Sequence, residues 1–280
     1  MAEQDGHGNE SSLPLLNHPL DAPTAFRPED LVESVRAFRD KADGVVPEIC
    51  ILEFDGDLTD KLQARGELEP CDAWPCFHTT MWRWKSDDLS CGIIARTIGG
   101  PYTVLIAEQL AVCGAKLIVG LASAGRLDSR IPLPSVVLAD EAIRDEGTSY
   151  HYLPASRTVK GTQSILPALE RCLREIELPF LRGLVWTTDA PYRETEEQMR
   201  RYADMGALAV EMQAASLFAF SQRQGCSVAL VAHLTNAPDH EGEAFAKGPE
   251  DTDVSILAAI CRAGRSWLNL ENRQRLPTRR

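Results

Sequence analysis

Residues 183–236 read GLVWTTDAPYRETEEQMRRYADMGALAVEMQAASLFAFSQRQGCSVALVAHLTN, and this stretch decides the fold class. It holds three short apolar runs, around Val185, Val210 and Leu230, separated by two segments of helical character at 196–206 and 213–225. Short apolar runs rich in Val, Ile and Leu suit strands that are covered on both faces. Strands that alternate with helices imply crossover units, in which each helix returns the chain across the sheet to a parallel neighbour.

The same alternation runs through the rest of the chain. Segments 45–54, 89–97, 116–122 and 135–143 read as further strands, and 26–42, 101–115, 165–176 and 254–270 as helices. Pro28 opens the first helix with Glu29 and Asp30 behind it, an arrangement that suits a helix start. No repeat or long linker interrupts the pattern. The expectation is an α/β fold, a single domain over residues 28–280 with a mixed, mainly parallel central sheet flanked by helices. Residues 1–27 mix Gly, Asn, Ser, Pro and Asp with one short Leu patch, and read as a disordered N-terminal tail. An arm packed on a neighbouring subunit is the alternative.

The 280 residues are 44% hydrophobic and 25% charged, enough to bury a sizeable core without staples. Acids outnumber bases 41 to 29, so the net charge is −12. Such a surface argues against nucleic acid or an anionic membrane as the main partner, yet leaves room for a local anion pocket. No apolar run reaches the ~18 residues of a membrane helix. The opening MAEQDGHGNE has neither the basic nor the apolar region of a secretory signal, so a cytoplasmic protein is expected. Most of the eight cysteines sit in apolar runs, and only Cys71 and Cys76 lie close together. They read as structural thiols in a reducing compartment, with no metal site.

In sheets of this kind ligands sit beyond the carboxyl ends of strands. Gly99-Gly100-Pro101 can present backbone N–H groups to an anion at a helix start, or serve as a plain connector. Ser123 and Arg126 offer donors in a small-residue segment, which close strand–helix packing would also explain. Thr188 and Asp189 end a strand, and Tyr192 and Glu194 follow; an aromatic beside charged groups suits a flat ligand, although a helix start would also use the acids. Glu211 and Gln213 flank Met212 at the end of an apolar segment, where unpaired burial of either would be costly. Thr235-Asn236 closes a buried strand, and an Asn amide can read a heterocycle edge. His233 reads as a core imidazole with its nitrogens satisfied.

Taken in order, TIGGP, LASAG, AIRDEGTSYHY, TTDAPY, VEMQAAS and LTN resemble the purine and uridine nucleoside phosphorylase superfamily over about residues 47–267. The resemblance implies cleavage of a nucleoside N-glycosidic bond through an oxocarbenium-like state, with phosphate as co-substrate and no other cofactor. Met212 would lie under the ribose, Gln213 would hold its hydroxyls and Glu211 would flank it. Asn236 with Tyr192 and Glu194, and with Thr188, Asp189 and Thr235 near by, would face the base. Ser123, Gly99 and Gly100 would face phosphate, with Arg96 or Arg126 supplying charge. A homo-oligomer, either a dimer or a trimer of dimers, is also implied.

The chain departs from that pattern. Gln213 replaces the family's ribose-binding Glu. The early Gly-Asp-Pro-x-x-Arg loop is replaced by EFDGDLTDK, and Gly120 stands where an Arg precedes the small-residue loop. The acids suggest an alternative in which water attacks, with Glu53 or Asp55 as general base. A catalytically idle nucleoside-binding homologue is the third reading.

Overall fold

The computed structural model describes residues 13–41, 44–86, 88–236 and 245–275. The strands are β1 (Ile49–Glu53), β2 (Leu68–Pro70), β3 (Trp82–Ser86), β4 (Leu89–Ala95), β5 (Leu117–Arg126), β6 (Ser135–Asp145), β7 (Thr158–Lys160), β8 (Phe180–Thr188), β9 (Ala209–Glu211) and β10 (Ser227–Asn236). The helices are α1 (Pro28–Phe38), α2 (Asp57–Ala64), α3 (Gly100–Val112), α4 (Leu166–Leu173), α5 (Glu196–Asp204), α6 (Ala214–Gln224) and α7 (Thr252–Arg275).

All ten strands join one mixed sheet in the order β10-β6-β8-β9-β5-β1-β4-β3-β2, with β7 on β6. Strand β10 also pairs with β5, so β5, β9, β8, β6 and β10 close into a five-stranded barrel. The remaining strands extend from β5 through β1 as an open wing. The α/β architecture with a mixed sheet is the one implied by alternation. Pairings of β1 with β4 and β5, of β10 with β5, and of β8 with β6 and β9 are parallel. Strands β2–β3–β4, β5–β9, β6–β7 and β6–β10 pair antiparallel.

Strand β5 is the seam of this arrangement, and its side chains show why the apolar runs lack alternation. Ile118, Ala122 and Ala124 belong to a core cluster with α3 and α6, while Leu117, Val119 and Leu121 belong to another with α4 and α7. Both faces are dry, so both require apolar side chains. Strand β10 splits likewise, with Leu230, Ala232 and Leu234 on one side and Ala229 and Val231 on the other.

Helix α2 falls in a segment that the periodicity passes over. It buries only Leu58, Thr59 and Leu62, and it starts at Gly56, whose φ of 100° needs the freedom of glycine. Of the first 27 residues, 13–27 are described. They include a 3₁₀ turn at Pro14–Leu16, the His18 ring lies 3.9 Å from that of His151, and the Leu20 carbonyl accepts from Arg223. Among the described residues no helix is long and apolar enough to cross a membrane.

Candidate active site

Where β1, β5, β8, β9 and β10 end, their exit segments enclose a cleft of about 610 Å³. Eight of the residues singled out from the sequence line it: Asp55, Ser123, Tyr192, Glu194, Glu211, Met212, Gln213 and Asn236. Phe54, Ile98, Met199, Val210 and Phe245 supply much of its apolar wall.

One side of the cleft is the start of α6. Gln213 is its N-cap, with φ −139° and ψ −27°. The Glu211 carboxylate accepts the backbone N–H groups of Gln213 at 2.6 Å and Ala214 at 2.8 Å, and the Thr187 hydroxyl at 2.5 Å. Such a carboxylate satisfies helix-start N–H groups that have no partner within the helix. Burial lifts its pKa to about 7 against the pull of these bonds. Both Glu211 oxygens are therefore occupied, and the residue acts on the cleft by holding Met212 and Gln213 in place. Gln213 is itself buried, and its Oε1 accepts the Met212 N–H at 3.1 Å, which leaves the amide nitrogen as its donor.

Tyr192 stands fully exposed at the rim. Glu194 is partly buried, and desolvation lifts its carboxyl to about 7, so near neutrality it can donate as well as accept. Opposite, Ser123 Oγ lies 2.7 Å from Thr235 Oγ1 across the β5–β10 pairing. Strand alternation sends Thr235 and Asn236 to opposite faces. The register also shifts between Leu234 and Asn236, so that Asn236 pairs with Gly125 beside the cleft.

Thr235 faces a second, smaller cavity of about 270 Å³, which shares Asp55 and Ser123 with the cleft. Lys61, Lys247 and His233 line it as well. Lys61 pairs with Asp253 at 2.6 Å and Lys247 with Asp57. Desolvation and the neighbouring Asp57 raise Asp55, while Lys247 and a hydrogen bond from the Ser123 N–H oppose them. The expectation of a satisfied core imidazole at His233 is corrected in part. The ring is buried, yet Nε2 has no hydrogen-bond partner among the described residues. Burial drives its pKa down to about 4, which Asp253 opposes and Lys247 reinforces.

The other candidates lie outside the larger cleft, although Glu53 lines the smaller cavity with Asp55. Glu53 accepts from the backbone N–H groups of Gly56, Leu58 and Thr59 and from the Thr59 hydroxyl, and so starts α2. Arg96 is exposed and paired with Asp60 at 2.5 Å, so the acidic loop holds its charge. Arg126 Nη1 donates to the Ile131 carbonyl at 3.1 Å. Gly99 caps α3, and a Cβ on Gly100 would lie 2.2 Å from Ser216 Oγ, a close approach that packs α3 on α6. Thr188 accepts from the Ala190 N–H, and Asp189 accepts from the Gly147 N–H at 2.8 Å and lines a different cleft, beside α3.

Phe54, Ile98, Met199, Phe245 and Lys247 carried no signal beyond their nearness to strand exits. Phe54 also accounts for Gly120, because a Cβ there would lie 2.9 Å from Phe54 Cζ and 3.3 Å from Leu230 Cδ1. The aromatic ring fills the space that a side chain at this position would need. Among the described residues no three or more His, Cys, Asp or Glu side chains converge in a way that could hold a metal ion.

Comparison with known proteins bears on the whole arrangement. The chain is 28% identical over 186 residues to a guanosine phosphorylase of Halorubrum lacusprofundi, covering 62% of this chain and 76% of that relative. It is 23% identical over 235 residues to the uridine phosphorylase of Salmonella typhimurium, covering 79% and 92% respectively. An uncharacterised protein of Acanthamoeba polyphaga mimivirus is 30% identical over 174 residues, or 59% of this chain and 66% of its own length. The model of the Phosphorylase superfamily matches residues 48–263, a span that runs from β1 into α7 and takes in every wall of the cleft. With most of its length inside that match, this chain belongs to the Phosphorylase superfamily.

Proposed function

We propose that this chain cleaves the N-glycosidic bond of a nucleoside with phosphate, releasing the free base and a pentose 1-phosphate. The observation that carries the reading is the convergence of Met212, Gln213, Asn236 and Glu194 on one cleft beside Ser123. The Met212 thioether lies under the sugar, and the Gln213 amide donates to its hydroxyls. Asn236 and Glu194 take the edge of the base. As the C1′–N bond breaks, its electron pair passes to the base, and a protonated Glu194 can stabilise that charge. A phosphate oxygen then bonds to C1′. The phosphorylase relatives support phosphate as the attacking group. The same reading includes a homo-oligomer, a dimer or a trimer of dimers; Ile98 and Tyr192, at the cleft, are 51% and 100% exposed, which suits a surface that a neighbour covers.

One observation favours water instead. Among the described residues no arginine lines the cleft, whereas Asp55 does. A carboxylate there repels a phosphate dianion and suits a general base. The experiment is a panel of purine and pyrimidine nucleosides incubated with and without inorganic phosphate, with the sugar product identified. Pentose 1-phosphate formed only with phosphate supports the proposal. Free pentose released at the same rate without phosphate transfers the reaction to water, with Asp55 as the base. No cleavage of any nucleoside in either buffer refutes both.

A further inference from the structure

The smaller cavity behind Asp55 and Ser123 has no role in the reading above, and it contains a buried imidazole nitrogen without a hydrogen-bond partner among the described residues. We propose that this cavity receives the attacking group and that His233 Nε2 hydrogen-bonds to it there. The inference rests on the nucleoside-cleaving reading. In that reading the base lies toward Asn236 and Glu194, so the attacking group approaches the sugar from another side. Asp55 and Ser123 are common to both cavities, which places the smaller one directly beyond the cleft wall.

His233 is 8% exposed, and an unpartnered polar nitrogen buried to that degree is costly unless a ligand satisfies it. Burial keeps the ring neutral at physiological pH, so Nε2 can accept a proton-bearing oxygen of water or hydrogen phosphate, or donate in the other tautomer. The charged groups that line the cavity with it are Glu53 and Asp55 after β1, Asp57 and Lys61 on α2, Lys247 and Glu250 before α7, and Asp253 at the start of α7. Lys61 pairs with Asp253 and Lys247 with Asp57, while Glu53 is held by the start of α2, so neither lysine adds an unbalanced charge. The remaining acids, Asp55 and Glu250, favour a neutral or protonated attacking group. Leu58, Leu121 and Ile256 make up apolar wall, which strengthens a hydrogen bond formed inside.

The test compares His233→Leu, which fills the space without a nitrogen, with His233→Gln, whose amide reaches a position near that of Nε2. The expected result is a loss in kcat of about tenfold for His233→Leu, the effect of one lost hydrogen bond to the attacking group. Where turnover requires phosphate, KM for phosphate rises by a similar factor. Nucleoside binding, measured without phosphate, shifts by less than about twofold, and His233→Gln regains much of the rate. Wild-type kcat in His233→Leu, or a loss that falls equally on nucleoside binding, overturns the inference. A wild-type protein that cleaves no nucleoside refutes the functional reading but still leaves a readout. The imidazole ring resonance that His233→Leu removes is followed by NMR during titration with inorganic phosphate. A saturable shift retains the cavity as a phosphate site, and no shift overturns it.

Discussion

Acidification destabilises this fold through His233, and the size of the effect follows from its burial. The ring is 8% exposed, and its pKa falls from 6.5 to about 4 on folding, mainly by desolvation. The sign follows from which state takes up the proton. Above pH 6.5 the ring is neutral in both states, and its full contribution is present. As pH falls from 6.5 toward 4, the unfolded chain binds a proton that the folded chain does not, and stability is lost. At about 1.4 kcal/mol per pH unit, the whole window represents about 3 kcal/mol, and the drop from about pH 7.5 to about pH 5 represents about 2 kcal/mol. The assay is urea unfolding followed by tryptophan fluorescence at several pH values, for the wild type and His233→Leu. Carboxyls with raised pKa, such as Glu211 and Glu194, push stability the other way, but they are present in both proteins and cancel in the difference. His233→Leu should lose about 2 kcal/mol less than the wild type over that range. Parallel curves, within about 0.5 kcal/mol, would show that the imidazole is protonated in the fold and would refute the reasoning.

Three further outcomes are expected. Gly120→Ala should destabilise by about 1–3 kcal/mol in the same urea assay, because its Cβ would lie 2.9 Å from the Phe54 ring; adding Phe54→Leu should recover part of the loss. Asn236→Ala should cost about 1–3 kcal/mol in kcat/KM with the melting temperature unchanged, and an unchanged kcat/KM on every base would make Asn236 a strand end only. Gln213→Glu should preserve or raise turnover, since a carboxylate can still accept the Met212 N–H and also favours a cationic sugar, whereas Gln213→Ala should lower it; wild-type kinetics in the Ala variant would remove Gln213 from the sugar site.

Much of the fold was legible because burial imposes a local signature. The strands and helices from β8 to β10 read directly from 183–236, since each strand is covered on both faces; α6 is buried from Ala214 to Ser221, whereas α5 buries no residue fully. Helix α2 was not legible. Its segment is acidic and weakly apolar, and its start depends on the carboxylate of Glu53, contributed by the preceding strand. Strand β3 was missed because Trp82–Ser86, paired between β4 and the short edge strand β2, has mixed burial, so no long apolar run marks it. The barrel closure between β5 and β10 lay beyond the reach of local pattern, because a strand's composition does not name its neighbour.

The candidate site divides in the same way. The residues at Glu211–Gln213, Ser123 and Asn236 stood out by themselves, because polar groups at the end of apolar strands must find a partner or a ligand. Their convergence with Asp55 and Glu194 on one cleft was decided by the closing of β5 on β10 and by the packing of β9 between β5 and β8. Glu53 and Glu211 are both acids at strand ends, alike in sequence context, yet each is occupied by the backbone N–H groups of the helix that follows it. Asp55, two residues after Glu53, instead lines both cavities. Arg96 and Arg126 read as anion ligands by type and place, but Asp60 holds Arg96 and the Ile131 carbonyl takes Arg126 Nη1. The buried Arg126 Nε has no partner among the described residues, and neither arginine lines the cleft. Sequence alone determined which groups are present at the strand exits, because burial periodicity is local. Only the tertiary structure decided which of them are free to meet a ligand, because a side chain's hydrogen bonds depend on what folding brings within about 3 Å of it.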